Sequence, residues 1–271
     1  MTEMTRQEGL RNIILMHEEI YENDVVMLLR GKCQGKGVTL LSLATHIKAK
    51  AIYSYFVEND LKKSKQYFHL SAKLALASFG ENEGASFGSG RWFLTALFSD
   101  NKNLIDEYAF LRNYDFIQEH ENPASSLFYV HLIQLAILGN DEGVEKKIAI
   151  FEKQKNNRMK NVSDLGFYSL LINRDKFSLE KLISGKHANI KSADPVDEDF
   201  LSYIGALETK LCWMRGLNVE IDHNLVPMGL MPIRPLGQYD DVYDFLKPEW
   251  LPPKQGMLAD AVRWIRGEIG I

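Results

Sequence analysis

Apolar side chains recur every three or four residues along most of this chain, which is the spacing of an amphipathic helix. The first such stretch predicts a helix over residues 5–30, with a break left open at Asn23 and Asp24. Its apolar positions are Leu10, Ile13, Ile14, Ile20, Val25, Leu28 and Leu29. The chain therefore begins with a helix that has one apolar stripe.

The next segments alternate long apolar runs with glycine-rich connectors. Residues 38–60 are mostly apolar and predict a helix that is buried on more than one side. Asp60 is placed to cap the following helix, and Gly80 is placed to end it. The glycine-rich connector at 81–90 is not followed by Gly-Lys-Ser/Thr, so it does not match a phosphate-binding loop.

The middle of the chain is predicted to form two helical hairpins. Asn122 and Pro123 mark the start of a helix that Gly139 ends, and a partner helix follows it directly. A second pair follows at 162–173 and 175–186. Short loops between consecutive helices favour antiparallel neighbours.

The last third begins with a polar, proline-containing boundary at 189–199, which is followed by an apolar helix at 200–216. Beyond this helix the pattern changes to an alternation that predicts a short extended segment near 218–222. A final helix is predicted over 257–269.

The predicted fold is therefore all-α, an irregular and solenoid-like array of antiparallel α-hairpins with at most one short extended segment. We expect an N-terminal helical region at 1–121 and a C-terminal helical-hairpin region with an acidic loop at 122–271. Together they are expected to form one continuous domain.

Composition agrees with a globular protein that has a sizeable core. Of the 271 residues, 45% are apolar and 25% are charged. The start lacks the pattern of a secretory signal, and no uncharged run is long enough to span a bilayer. Two distant cysteines, Cys33 and Cys212, favour reduced thiols. We therefore expect a cytoplasmic protein without a membrane partner.

Charge is unevenly distributed along the chain. The net charge is −4, but residues 194–250 contain eleven acidic and four basic residues, hence −7 for this segment. Such a segment repels nucleic acid and attracts basic surfaces. A local run of basic residues at 146–160 is interrupted by Glu152 and fits a helix end better than a phosphate-binding surface.

The histidines and acids form no recognisable catalytic pattern. HExxH and CxxC are missing from the sequence, and the Gly-x-Ser-x-Gly match at 84–88 is not preceded by the strand that a nucleophile elbow needs. His46, His69 and His131 lie among apolar neighbours, which favours hydrogen-bonded core histidines. We therefore predict no catalytic residue, no metal and no cofactor, and a protein that is not an enzyme.

An enzymatic alternative depends on two pairs of residues. Glu18 and Glu22 share one face of the first helix, and Asp222 with His223 would form a general-base pair. Metal bound to the purified protein, or an activity lost on His223→Ala, would favour this alternative.

Two acidic clusters are the candidate partner-binding residues. The first cluster precedes the helix at 200–216, where helix capping explains part of its charge. The second cluster alternates acids with aromatic residues, as protein interfaces do. The predicted partner-binding residues are Asp194, Asp197, Glu198 and Asp199 in the first cluster, and Tyr239, Asp240, Asp241, Tyr243 and Asp244 in the second.

The order of helices and turn residues resembles a known family over residues 123–232. A mid-chain helix ends in a small-residue and acidic step, and a late helix ends in glycine before an alternating segment and a proline. The residues that carry this pattern are Leu138, Gly139, Asn140 and Asp141, followed by Gly216, Val219, Ile221, Asp222, Val226, Pro227 and Leu230. In this the chain resembles the bacterial immunity protein 49 family and is similar to the immunity partners of PoNe-type DNase toxins.

The resemblance implies a cytoplasmic protein that binds and neutralises a cognate protein toxin. Many such toxins act on nucleic acid and need a basic cleft, for which carboxylates on the inhibitor would compete. The alternative is a helical-repeat scaffold that binds a peptide or a regulatory protein.

Overall fold

The chain folds into helices that are joined by turns and irregular segments. A computed structural model describes residues 5–155, 165–247, 249–251 and 253. Within these residues there are eleven α-helices and no β-strand, and about 65% of the structure is helical, which confirms the predicted all-α fold. The helices are α1 (Arg6–Leu29), α2 (Lys36–Phe56), α3 (Leu61–Ser78), α4 (Trp92–Ser99), α5 (Lys102–Phe110), α6 (Tyr114–Glu119), α7 (Ser126–Leu138), α8 (Asp141–Lys155), α9 (Gly166–Ile172), α10 (Lys176–Gly185) and α11 (Tyr203–Met214).

Helix α1 lies on the outside of the molecule against α2. It runs without interruption through Asn23 and Asp24, so the break left open at these residues does not occur. Only Leu10 and Leu28 of α1 are buried, while Met16 is 74% exposed. Of the other predicted stripe positions, Ile20 is exposed, and Ile13, Ile14, Val25 and Leu29 are half-buried.

Helices α2 and α3 form a closely packed antiparallel hairpin at the centre of the core. Asp60 caps α3 by accepting a hydrogen bond from the Lys63 amide at 2.9 Å, which confirms the predicted cap. Ser64 and Ser71 of α3 donate to backbone carbonyls of α2, and small side chains such as Ala44 permit this close approach. α2 is buried on several sides, as its apolar sequence predicts.

The predicted mid-chain helices occur as α7–α8 and α9–α10. α7 ends at Gly139, whose φ of +69° favours glycine. Its start differs from the prediction, because Ser125 caps the helix whereas Asn122 forms a turn by accepting from the Ala124 amide. The solenoid-like stacking of the hairpins stays a prediction.

One main hydrophobic cluster extends across both predicted regions of the chain. Its buried members run from Leu10 in α1 to Met231 after α11. A smaller cluster joins α7, α8 and the start of α9. Residues before and after position 121 therefore share one core.

Buried and exposed residues alternate in the segment after α11, as they do in an extended chain, but this segment forms no strand. Leu217, Val219 and Ile221 are buried, whereas the residues between them are exposed. The Val219 carbonyl accepts from the Trp213 indole at 3.0 Å, and the Glu220 amide donates to Glu180 at 2.8 Å. Side chains of neighbouring helices thus take the place of a strand partner. The helix predicted at 257–269 lies outside the described residues.

Candidate functional site

The first acidic cluster precedes α11, and two of its carboxylates face inward. Nζ of Lys48, on α2, lies 2.6 Å from Asp194 Oδ2 and 2.9 Å from Asp197 Oδ2. All three side chains are no more than 12% exposed. Burial by itself would raise the pKa of Asp194, but the charge and hydrogen bond of Lys48 lower it overall. Asp194 and Asp197 are therefore committed to an internal ion pair.

The other two acids of this cluster are exposed. Glu198 faces solvent, and Asp199 lies 3.2 Å from the exposed Lys191 ammonium. The cluster forms a turn ahead of α11, whose N-cap is Ser202. The acids thus precede the helix without entering its first turn.

The second acidic cluster is anchored by Asp241 and Tyr239. Asp241 Oδ1 lies 2.8 Å from His69 Nε2, and Oδ2 lies 2.6 Å from Lys73 Nζ. Burial raises the pKa of Asp241, but these two partners lower it overall. Tyr239 donates to the Ser99 carbonyl at 2.5 Å. These two predicted binding residues therefore hold the segment against α3 and the end of α4.

The remaining residues of this cluster combine exposed charge with aromatic rings. Asp240 and Asp244 are exposed, and Asp244 pairs with the exposed Lys247. Tyr243 stacks on Phe245 with ring centroids 5.2 Å apart. We call the surface formed by Asp240, Tyr243, Asp244, Phe245 and Trp250 the acidic–aromatic edge; the Trp250 ring meets Phe245 at 6.4 Å.

Helix α1 borders the acidic–aromatic edge. Tyr243 lines a groove of about 380 Å³ together with Glu18, Tyr21, Glu22 and Val25 of α1. Burial raises the pKa of Tyr243 to about 12. Two carboxylates of α1 therefore lie beside this groove.

A buried ion cluster holds the chain that leads to this edge. Lys65 and Lys210 share the carboxylate of Asp100, and all three residues are at most 3% exposed. Lys65 also donates to the Arg234 carbonyl at 2.6 Å, and Lys210 donates to the Leu230 carbonyl at 2.7 Å. Burial lowers the pKa of Lys210 to about 8, although Asp100 opposes this shift. The segment that carries the edge is thus attached to the core at two points.

A cleft that the sequence did not predict lies between α7, α9 and α11. It has a volume of about 440 Å³ and is lined by Tyr129, Tyr168, Tyr203 and His187. Nδ1 of His187 lies 2.6 Å from Glu208, and burial raises the pKa of this carboxyl group. The pair is separated by 21 residues, so no local pattern revealed it.

The enzymatic alternative depends on two residue pairs, and members of both pairs make contacts with other groups. Glu18 lies 2.6 Å from Lys50 and 3.3 Å from His46. Nδ1 of His223 accepts from the Leu225 amide at 3.2 Å, and Asp222 is exposed. These contacts occupy Glu18 and one nitrogen of His223.

The predicted core histidines differ in their contacts. His69 is hydrogen-bonded through both ring nitrogens, to Asp241 and to Asn101. His46 stacks on Tyr21. His131 instead faces His120 and Glu121, which lie on the turn before α7, so the helical spacing around His131 does not predict this contact.

None of the described helices is both long enough and apolar enough to cross a bilayer. Comparisons of the chain with protein families, with curated proteins and with solved structures found no match.

Proposed function

We propose that this chain is an immunity protein that binds and neutralises a cognate bacterial toxin by covering a basic surface. The observation that carries the proposal is the acidic–aromatic edge, where one segment carries the exposed Asp240 and Asp244 and the stacked rings of Tyr243 and Phe245. Carboxylates at an interface speed encounter with a basic partner, and aromatic rings supply most of the binding energy.

Rigidity of the edge supports the same function. Asp241 is held by Lys73 and His69, and Tyr239 is held by the Ser99 carbonyl. A surface that is ordered before binding loses less conformational entropy when a partner docks. Asp241 therefore acts as an anchor of the edge, and Asp240 and Asp244 supply its available charge.

The partner we propose is a toxin with a basic active-site cleft, as a nuclease requires. The acidic segment and the resemblance to immunity proteins both support this choice. An inhibitor that presents carboxylates would occupy the positions where phosphates bind.

The test uses purified chain and the toxin-like product of a neighbouring gene. We expect the wild-type chain to suppress toxicity on co-expression and to bind the product directly. Asp240→Lys with Asp244→Lys should slow association about 10-fold at low salt and weaken its salt dependence. The matched control is Glu142→Lys with Glu145→Lys, which places the same charge change on the exposed face of α8.

Equal association rates for the wild type and the Asp240/Asp244 variant would disprove the role of the edge. Failure of the wild-type chain to bind the product or to suppress its toxicity would count against the immunity function itself.

The cleft at His187 favours a second candidate function, a scaffold that binds a peptide. Its tyrosines and partly exposed Ile204 offer apolar contacts around a polar pair. If the chain bound a peptide but not the toxin-like product, and Ile204→Glu abolished the peptide binding, the scaffold function would replace the immunity function.

A further inference from the structure

Two histidines and a glutamate converge where α6 meets α7. His120 is the C-cap residue of α6, Glu121 follows it, and His131 lies in α7. Nε2 of His120 is 3.3 Å from Glu121 Oε1, and Nδ1 of His131 is 4.0 Å from the same oxygen. One donor atom from each residue falls within 4.8 Å of the others.

One nitrogen of each imidazole ring is available as a metal ligand. Nδ1 of His120 lies 2.8 Å from the Phe116 carbonyl, which only accepts, so this nitrogen carries the proton. The lone pair is then on Nε2, which faces Glu121. Nδ1 of His131 is buried and has no hydrogen-bond partner among the described residues.

The distances from Glu121 to the two histidines are close to those between ligands of a zinc site. Bonds of about 2.0–2.1 Å at tetrahedral angles place neighbouring donors roughly 3.4 Å apart. The His120–Glu121 separation of 3.3 Å already fits this value, and the His131–Glu121 separation of 4.0 Å is slightly long. Because the Glu121 side chain is 55% exposed, a rotation about its own bonds can shorten the second distance.

We propose that His120 Nε2, Glu121 and His131 Nδ1 bind a divalent transition metal of the zinc type. Two imidazoles and a carboxylate are ligands that Zn²⁺ accepts, and three protein ligands leave a fourth position for water. A groove of about 520 Å³ that Glu121 and His131 line gives solvent access to this position.

Lys147 of α8 competes with the metal for Glu121. Its ammonium lies 2.9 Å from Glu121 Oε1, donates to the His120 carbonyl and is 4.5 Å from the centre of the Phe128 ring. A bound metal must take this oxygen from Lys147 or use the second oxygen of the carboxylate. Removing the positive charge should therefore strengthen metal binding.

This site is independent of the proposed immunity function, because it uses α6, α7 and α8 and none of the residues of the acidic–aromatic edge. Metal binding can fail while toxin binding succeeds, and the reverse also holds.

The experiment titrates the full chain, freed of metal by a chelator, with Zn²⁺ by calorimetry and with Co²⁺ by visible absorption. We expect one metal ion per chain and a Co²⁺ spectrum typical of nitrogen and oxygen ligands. Replacing a residue that only supports a metal ligand weakens metal binding about 10–100-fold. His120 and His131 are the proposed ligands themselves, so His120→Gln and His131→Gln should each weaken binding ~100-fold or more. Lys147→Met should tighten it roughly 10-fold, since a nearby positive charge is removed.

Two further variants keep the test decisive. His223→Gln removes a histidine elsewhere and should leave binding unchanged. Glu121→Gln should weaken metal binding, and Lys147→Met leaves only the exposed carboxylate of Glu121 unpaired, so these variants test the site even if a histidine variant fails to fold, as judged by circular dichroism. The proposal is overturned if the wild type binds no metal, or if Glu121→Gln and Lys147→Met both bind it as the wild type does.

Discussion

Both acidic clusters are rich in aspartate, but their side chains make different contacts in the structure. Asp194 and Asp197 turn inward onto the buried Lys48. In the second cluster the carboxylate of Asp241 contacts α3, while the side chains of Asp240 and Asp244 remain exposed. The net charge counted from the sequence of residues 194–250 is therefore larger than the charge that a binding partner can contact.

The difference follows from the cost of burying a lysine. Lys48 is only 5% exposed, and a buried ammonium needs carboxylates close to it. Lys73 is more exposed and shares a single acid with His69. Asp194 and Asp197 thus serve the fold, whereas exposed charge remains in both clusters, at Glu198 and Asp199 in the first and at Asp240 and Asp244 in the second.

The largest effect on stability is expected at the buried ion cluster of Lys65, Asp100 and Lys210, which attaches the segment that carries the second acidic cluster. Asp100→Asn would leave Lys65 and Lys210 buried without an acid, which should lower the free energy of unfolding by about 5 kcal/mol. Chemical denaturation measures this loss, and hydrogen exchange should rise along residues 230–241. Asp106→Asn removes an acid from an exposed pair and should change stability by less than ~1 kcal/mol. A similar loss in both variants would show that Asp100 is not an anchor.

A somewhat smaller effect on stability is expected at Lys48, which pairs with two acids of the first cluster. Lys48→Met would leave Asp194 and Asp197 without their cation and should lower the free energy of unfolding by about 3 kcal/mol at neutral pH. Lys36→Met, which breaks the exposed pair with Glu81, should lower it by less than ~1 kcal/mol.

This second prediction has a defined pH dependence. The pKa of Asp194 is lower in the folded state than its ordinary value of 3.8, so its contribution is full above that value and is lost as the pH falls through the folded pKa. The stability difference between wild type and Lys48→Met should therefore shrink in acid. A difference that stayed constant down to low pH would contradict the ion pair.

The smallest effect is expected at the exposed acids. Asp240→Lys with Asp244→Lys should change the free energy of unfolding by no more than ~0.5 kcal/mol, because neither carboxylate is buried. Asp194→Lys with Asp197→Lys makes the same change of charge beside Lys48 and should destabilise the fold by several kcal/mol, roughly as an unpaired buried charge does. Equal melting temperatures for the two variants would remove the distinction between the clusters.

Much of the fold was predictable because helix signals are local. The cap at Asp60, the end of α7 at Gly139 and the alternation of Val219 with Ile221 all follow from neighbouring residues. The start of α7 was misplaced because Asn122 and Ser125 both suit a cap, and only the helix path selects one of them.

The site was less predictable because its contacts join distant residues. Periodicity indicated that His131 lies on a helix among apolar neighbours, but it could not show that His120 and Glu121 would meet its free nitrogen. The pairing of Asp241 with His69 spans 172 residues, so its role as an anchor emerged only from packing.

By itself the sequence determined the all-α class, the location of most helices outside residues 91–121 and the concentration of acids from residue 194 onward, since these depend on spacing and composition. Only the tertiary structure decided which acids are neutralised by buried lysines, which stay exposed beside aromatic rings, and where histidines converge. The reason is physical: the energy of a charge depends on its solvent and its nearest partners, and both are set by folding.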